Sequence, residues 1–203
     1  LKRSSTYFFS RIATTLYGAT NTFILGFLYP TGNTLGYYTS AEKLMTTARS
    51  AFSPIADSLY PHMVKNKDFK LVKKILVILM PIILFGCALV WIFAEPLCAL
   101  LLGEDFRPSG DILRLLMPIV VITLPSYIFG FPVLSPMGLA KYANISTIIG
   151  SIVQVVNLLI LFLFGFLNVK TICIATCITE TVVLSFRVIV VFRNRYLLQF
   201  HSN

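Results

Sequence analysis

The sequence predicts an all-α polytopic membrane protein built as a bundle of six transmembrane helices. Of its 203 residues, 57% are hydrophobic and only 12% are charged, which is about half of the ~25% charged share usual in a globular domain. Mean hydropathy is +0.83. The apolar residues occur in long runs of roughly 20, the length that crosses ~30 Å of hydrocarbon. A surface with so few charges suits a bilayer rather than water.

Six segments are predicted to span, in chain order at residues 7–29, 36–61, 75–94, 112–134, 145–167 and 171–192. The third, fourth and fifth are nearly uncharged, so each is recognised by hydropathy alone. The first and sixth carry a few polar side chains among apolar ones. The second is less obvious because it holds four charged residues, Glu42, Lys43, Arg49 and Asp57.

The distribution of charge along the chain supports the second span. If all six segments cross, one side of the membrane collects ten basic residues, Lys2, Arg3, Lys65, Lys67, Lys70, Lys73, Lys74, Lys141, Arg193 and Arg195. The opposite side has three, Arg107, Arg114 and Lys170, together with four acidic residues, Glu95, Glu104, Asp105 and Asp111. Basic loops stay in the cytoplasm, so both ends of this segment are predicted to be cytoplasmic. The net charge of +9 then orients the protein, and we expect the Lys65–Lys74 loop to contact anionic lipid rather than nucleic acid.

The charges of the second span share one face. At 100° per residue, one stripe about 80° wide contains Thr39, Glu42, Thr46, Arg49, Ser53 and Asp57. A charge at the bilayer centre costs roughly 2.5–3.5 kcal/mol on insertion scales. The stripe is therefore predicted to face protein or water.

Three other spans carry a similar strip. Arg11 and Asn21 mark the first span, Asn144 and Gln154 the fifth, and Thr176, Glu180 and Arg187 the sixth. So much inward polarity favours the lining of a water-filled cavity, although hydroxyl and amide groups also join helices to one another. Prolines at 54, 81, 118, 125, 132 and 136 predict bends, or are simply tolerated as they often are in membrane helices.

The sequence gives no sign of a metal or cofactor site. Its four cysteines lie in apolar runs without a CxxC pair, so we expect packing thiols. No HExxH motif or glycine-rich phosphate loop is present. We therefore expect no cofactor and no enzymatic activity.

Four short patterns carry a family resemblance. They are Asn21-x-x-x-Leu25-Gly26, Gly36-Tyr37-Tyr38-x-x-Ala41-Glu42-Lys43, Pro54 followed by Leu59-Tyr60-Pro61, and Leu102-Gly103-x-x-Phe106. Together they resemble bacterial polysaccharide transporters, the O-antigen flippases of the Wzx type, within the superfamily of multidrug, oligosaccharidyl-lipid and polysaccharide exporters. Family members have twelve or fourteen helices in two six-helix lobes. Residues 1–203 are similar to the second, C-terminal lobe, which implies an N-terminal lobe outside this sequence.

The resemblance implies a transport function in the bacterial inner membrane. The implied cargo is an undecaprenyl-diphosphate-linked oligosaccharide, an O-antigen or capsule repeat unit, moved to the periplasmic leaflet by alternating access. The candidate substrate-cavity residues are Arg11, Asn21, Glu42, Arg49, Gln154 and Arg187, since arginine can neutralise a diphosphate and amides can bind sugar hydroxyls. The candidate ion-coupling residues are Glu42, Asp57 and Glu180. Structural pairing of Glu42 with Arg49, and of Glu180 with Arg187, is the alternative role for these charges.

Other functions remain open at this point. A cation-coupled multidrug exporter and a lipid-linked peptidoglycan precursor flippase share the same superfamily. From another class, a polytopic polysaccharide polymerase or ligase is an alternative, although the loops at residues 62–74 and 95–111 are short for a catalytic site. A purely structural membrane subunit is the last alternative.

Overall fold

The computed structural model describes residues 20–196, and every regular element within that range is helical. Helix α1 is described over residues 20–28. The following helices are α2 (Thr34–Ser50), α3 (Ser53–Asn66), α4 (Phe69–Ile92), α5 (Ala94–Leu102), α6 (Ser109–Phe129), α7 (Phe131–Leu134), α8 (Ala140–Leu163) and α9 (Val169–Arg193), with one 3₁₀ turn at Glu104–Phe106. An all-α architecture is thus confirmed for this part of the chain.

Four stretches of helix in the described range are long and apolar enough to cross a membrane. They are Phe69–Ile92, Ser109–Leu134, Ala140–Leu163 and Val169–Arg193, and they overlap the third to sixth predicted spans. Their outward faces carry exposed large apolar side chains, among them Phe85, Leu159 and Ile189. Extended apolar surfaces of this kind mark contact with a membrane or a partner. The chain is therefore treated as a membrane protein.

The segment predicted as one span at residues 36–61, with an interruption at Pro54, consists of two helices. Helix α2 ends at Ser50, residues 51 and 52 form a turn, and α3 begins at Ser53. Pro54 lies in the first turn of α3, where its missing N–H is not needed. Pro81, in contrast, lies inside α4 without ending that helix, so the expected interruption is found at Pro54 and not at Pro81.

A second break divides α6 from α7 at Gly130. Pro118 and Pro125 lie within α6, whereas Pro132 is in the first turn of α7. The Gly130 N–H bonds to the carbonyl of Tyr127 at 3.3 Å and not to that of Ser126, four residues back. The carbonyl of Ser126 is thereby left free for a side chain.

Helix α6 is the centre of the bundle and packs against α2, α4, α5 and α9. Thirteen of its residues are buried, more than in any other described helix. One apolar cluster surrounds its first half and includes Leu113 and Leu116, and a second surrounds its last half and includes Leu124 and Ile128. Helices α2 and α9 pack on α6, and α8 packs on α9. These contacts fix the relative heights of the polar side chains on α2, α8 and α9.

Aromatic contacts define the two ends of the bundle. Tyr37, at the start of α2, lies 6.1 Å from Phe106, whereas Tyr60 of α3 lies 5.3 Å from Phe131. Helices α2 and α3 together therefore follow α6 from one end to the other, a length of about 30 Å. Phe69 contacts Phe192 at 6.4 Å, which brings the lysine-rich α3–α4 turn beside the end of α9.

The charges are divided between these ends. The basic end holds the lysines of residues 65–74 and Arg193. The acidic end holds Arg114, which donates to Glu95 at 2.8 Å, to Asp111 at 2.7 Å and to the backbone carbonyl of Trp91 at 3.1 Å. Among the described residues, the lysines of residues 65–74 and the carboxylates of Glu95 and Asp111 are therefore at opposite ends, as expected, and Lys2 and Arg3 lie outside the described residues.

Candidate functional site

Helix α9 carries a row of polar side chains along the bundle, called here the polar spine. Thr176, Thr179 and Glu180 are buried, and Arg187 follows two turns later. Spacings of three, four and seven residues place these side chains on one face of a helix. The face is turned toward α8, α6 and α2 because the other side of α9 carries exposed Ile174, Ile178 and Ile189. The polar groups of other helices meet this spine at three levels.

The first level, nearest the acidic end, is a closed amide–hydroxyl network. Asn21 and Gln154 are 3% and 1% exposed. Nε2 of Gln154 donates to Oδ1 of Asn21 at 2.8 Å, and Nδ2 of Asn21 donates to the hydroxyl of Thr176 at 3.0 Å. Thr179 donates to Oε1 of Gln154 at 2.8 Å. Two predicted cavity residues thus bind each other and α9.

A branch of this network reaches Glu42 on α2. Nδ2 of Asn21 also donates to the Tyr38 hydroxyl at 3.3 Å, and that hydroxyl donates to Oε1 of Glu42 at 3.3 Å. The hydroxyl of Thr22 donates to Oε2 of Glu42, again at 3.3 Å. Tyr38 was not among the predicted site residues, although its position one helical turn before Glu42 is a signal that the sequence contains. The carboxylate of Glu42 is therefore held by hydroxyls of two helices.

The second level is an ion pair between α2 and α9. Nη2 of Arg49 lies 2.9 Å from Oε1 of Glu180, and the two side chains are 19% and 10% exposed. The sequence suggested pairs within one helix, Glu42 with Arg49 and Glu180 with Arg187. In the structure, Arg49 of the first suggested pair instead binds Glu180 of the second, although 131 positions separate them in the sequence.

The third level is Arg187, which reaches across to α6 and α8. Its Nη1 donates to the backbone carbonyl of Ser126 at 2.7 Å and to the hydroxyl of that residue at 2.9 Å, while Nε donates to the hydroxyl of Ser146 at 2.8 Å. The carbonyl is the one released by the break at Gly130. A cation at the C-terminal end of a helix is stabilised by the carbonyls there. Neither serine was predicted from the sequence.

A cleft of about 710 Å³ opens beside Arg187, between α3, the α6–α7 break and the start of α8. Its polar wall is formed by Ser53, Asp57, Tyr60, Asn144, Thr147 and Arg187. Asp57 is exposed, and the hydroxyl of Ser53 donates to its Oδ2 at 3.2 Å. Asp57 and Arg187 are thus brought to the same cleft. Arg11, the remaining predicted cavity residue, lies outside the described residues.

The arrangement can bind a polar head inside a membrane-embedded bundle. It presents two acids and an arginine at the first two levels, and an open, mixed cleft at the third. The chemistry is that of recognition through hydrogen bonds and charge.

Comparisons with known proteins connect the first part of the chain with glycan metabolism. Residues 1–67 match the family model described as "Polysaccharide biosynthesis protein". The match covers helices α1, α2 and α3, and therefore Asn21, Glu42, Arg49 and Asp57. No curated protein and no solved structure gave a match. The chain is thus similar over this region to a family of polysaccharide biosynthesis proteins.

Proposed function

We propose that this chain is part of a flippase that moves an undecaprenyl-diphosphate-linked oligosaccharide, an O-antigen or capsule repeat unit, across the bacterial inner membrane. A headgroup of this kind carries a diphosphate and many sugar hydroxyls. Neither can enter hydrocarbon without losing its hydrogen bonds to water, at a cost of several kcal/mol per group. A transporter must therefore offer replacement partners along the route.

The observation that carries the proposal is the convergence of polar side chains from four helices within an apolar bundle. Asn21, Glu42, Gln154 and Glu180 come from α1, α2, α8 and α9, and meet at consecutive levels. A bundle held together by packing alone needs far fewer buried polar groups. The match of residues 1–67 to a polysaccharide biosynthesis family supports a glycan as the cargo.

The proposed topology has six spans with both ends of the segment in the cytoplasm. In support, α2 and α3 run the full length of α6, since Tyr37 packs at the acidic end and Tyr60 at the other. The lysines of residues 65–74 would then lie in the cytoplasm, in contact with anionic lipid. The acidic end would face the periplasm.

We further propose that a second, N-terminal lobe completes the cavity and that the two lobes work by alternating access. Lys43, Thr46, Thr47, Ser50 and Asp57 form an exposed hydrophilic strip along α2 and α3. Facing lipid, such a strip would carry a large energetic cost. A water-filled space shared with another lobe removes that cost.

The decisive test is glycan export in the native host. Arg49→Ala and Arg11→Ala are each expected to abolish surface polysaccharide while membrane abundance stays at the wild-type level. Lys170→Ala is the matched control, because it removes one positive charge from an exposed position at the acidic end. Export that survives both arginine changes would limit these residues to a structural role.

The location of lipid-linked repeat units in the same cells distinguishes a transporter from the alternative functions. Loss of a flippase leaves lipid-linked repeat units in the cytoplasmic leaflet and none at the surface. Loss of a polymerase still allows single repeat units to reach the surface, and loss of a ligase leaves polymer on the periplasmic side. Normal export together with impaired efflux of cationic dyes would identify a drug exporter instead.

A further inference from the structure

The cleft beside Arg187 lies at a depth where the head of a membrane-anchored molecule would be found. Arg187 is six residues from the end of α9, and Asn144 is four residues from the start of α8. At 1.5 Å per residue, both are within about 10 Å of the basic end. Headgroup regions occupy roughly the outer 5–8 Å on each side of the hydrocarbon. The cleft therefore opens close to the interface.

The cleft contains charged side chains of both signs. Arg187 contributes one positive charge and Asp57 one negative charge. Three hydrogen bonds also tie the guanidinium to Ser126 and Ser146, which leaves only the two N–H groups of Nη2 for a ligand. A diphosphate is best bound by a paired, unoccupied guanidinium fork, and a nearby carboxylate repels it. The cleft is thus poorly suited to the diphosphate.

Its other groups suit a sugar. Asp57 keeps Oδ1 for hydroxyl donors because Ser53 donates to Oδ2, and Asn144 offers both a donor and an acceptor. The rings of Tyr60 and Phe131, 5.3 Å apart and tilted by 39°, form an aromatic wall. Aromatic faces pack against the C–H faces of pyranose rings, while planar polar side chains bind their hydroxyls. Both kinds of surface meet in the volume of about 710 Å³.

We infer that this cleft is the glycan subsite of the cytoplasmic-facing state, and that it binds one or two neutral or amino sugars of the lipid-linked cargo. The diphosphate remains outside it, at the level of the lysines of residues 65–74 and Arg193. This inference rests on the proposed flippase function, and it reassigns Arg187 from a diphosphate ligand to a fixed hydrogen-bond donor in a sugar site. The side chains of Asp57 and Asn144 are then specificity-determining.

The test compares two lipids on the purified full-length protein in nanodiscs. One probe is the undecaprenyl-diphosphate glycan fraction extracted from the native host, and the other is undecaprenyl diphosphate without sugar. Asp57→Ala and Asn144→Ala are each expected to weaken binding of the glycan lipid about fivefold to tenfold, the loss expected for one or two hydrogen bonds. Their binding of undecaprenyl diphosphate should equal that of the wild type, which also shows that the variants are folded.

Two further variants sharpen the result. Tyr60→Phe keeps the ring, so its affinity for the glycan lipid should fall less than threefold. Tyr60→Leu removes the ring, so its affinity for the glycan lipid should fall as much as that of Asn144→Ala. Asn157→Ala is the matched control, because it lies on α8 outside the cleft, with a single long contact of 3.5 Å to Thr179. It is expected to bind both lipids normally.

Three outcomes would overturn the inference. Equal weakening of both lipids would make the cleft a diphosphate site, and unchanged binding of both would place the sugar elsewhere. A wild-type protein that prefers neither probe over phosphatidylglycerol would refute the flippase function itself, and the cleft assignment with it. Normal export in cells alongside either of the first two results would leave the proposed function standing and remove only the sugar subsite.

Discussion

Replacing Gly150 with alanine is expected to force helices α8 and α9 apart. A Cβ atom at Gly150 would lie 2.6 Å from Cγ2 of Val183 and 3.7 Å from Cγ2 of Thr179. Carbon atoms in contact are normally about 3.5–4.0 Å apart. Val183 cannot easily turn away because a β-branched side chain in a helix has one strongly preferred rotamer. The helices must therefore separate locally by about 1 Å.

The expected cost follows from two opposing effects. Overpacking of this kind usually lowers stability by about 1–3 kcal/mol, while exchange of glycine for alanine within a helix returns up to about 1 kcal/mol. The net loss in the free energy of unfolding should be about 1–2 kcal/mol. The separation also affects Gln154, one turn further along α8, because its 2.8 Å bond with Thr179 bridges the same two helices.

The measurement is reversible unfolding in bilayers by steric trapping, with Gly86→Ala as the matched control. Gly86 also lies within a membrane-length helix, α4, but a Cβ there would meet nothing within 4 Å. Its alanine variant should be as stable as the wild type or up to about 1 kcal/mol more stable. The two chemically identical substitutions should thus differ by about 2 kcal/mol.

A rescue experiment tests the physical reason directly. Val183→Ala removes the methyl group that the new Cβ would meet, so the double variant should be more stable than the sum of the single effects by about 0.5–3 kcal/mol. Additive effects would mean that the two side chains do not collide. Wild-type stability of Gly150→Ala would equally refute the close approach of α8 and α9.

Three further predictions concern the polar levels and the topology. Gln154→Leu leaves the hydrogen-bonding atoms of its partners unsatisfied and should lower the free energy of unfolding by about 1–2 kcal/mol, measured in the same steric-trapping assay. Arg49→Glu and Glu180→Arg should each reduce membrane abundance because each reversal places two like charges side by side in a largely buried position, and immunoblotting should show abundance restored in the double exchange. In a cysteine-free background, Lys70→Cys should react with an impermeant maleimide only from the cytoplasm, and Asp105→Cys only from the periplasm.

The sequence was sufficient to identify which faces of the helices are polar. Helical periodicity depends only on spacing along one element, and Glu180, Gln154 and Asn21 indeed point into the bundle. The placement of the lysines of residues 65–74 and of Glu95 and Asp111 at opposite ends was likewise predictable, because one membrane-length helix, α4, separates them along the chain. The polar face of a helix depends only on residues within that helix, and the end at which a charge lies depends only on the order of helices along the chain.

Partner choice was not predictable in the same way. Arg49 meets Glu180 because α2 and α9 both pack on α6 at a particular height, and no local pattern encodes that height. Arg187 binds a backbone carbonyl that becomes free only because α6 ends at Gly130. The stripe of the second span was drawn on one continuous helix, whereas the structure has a turn at residues 51 and 52. Arg49, before the turn, binds Glu180, and Asp57, after it, lines the cleft beside Arg187.

The three levels along α9 differ in how readily they can accept a ligand, and their order bears on transport. Thr176 and Arg187 are eleven residues apart, about 16 Å along the axis. In the proposed flippase, a polar head that enters from the basic end meets open space at Arg187 first, then the ion pair of Arg49 and Glu180, and last the closed network of Asn21 and Gln154. Each network bond contributes about 1 kcal/mol, and together they tie α1 and α2 to α8 and α9. In the proposed flippase, these bonds therefore hold α1 and α2 against α8 and α9 beside the cavity shared with the second lobe, and the cleft at Arg187 is the level that accepts cargo without breaking them.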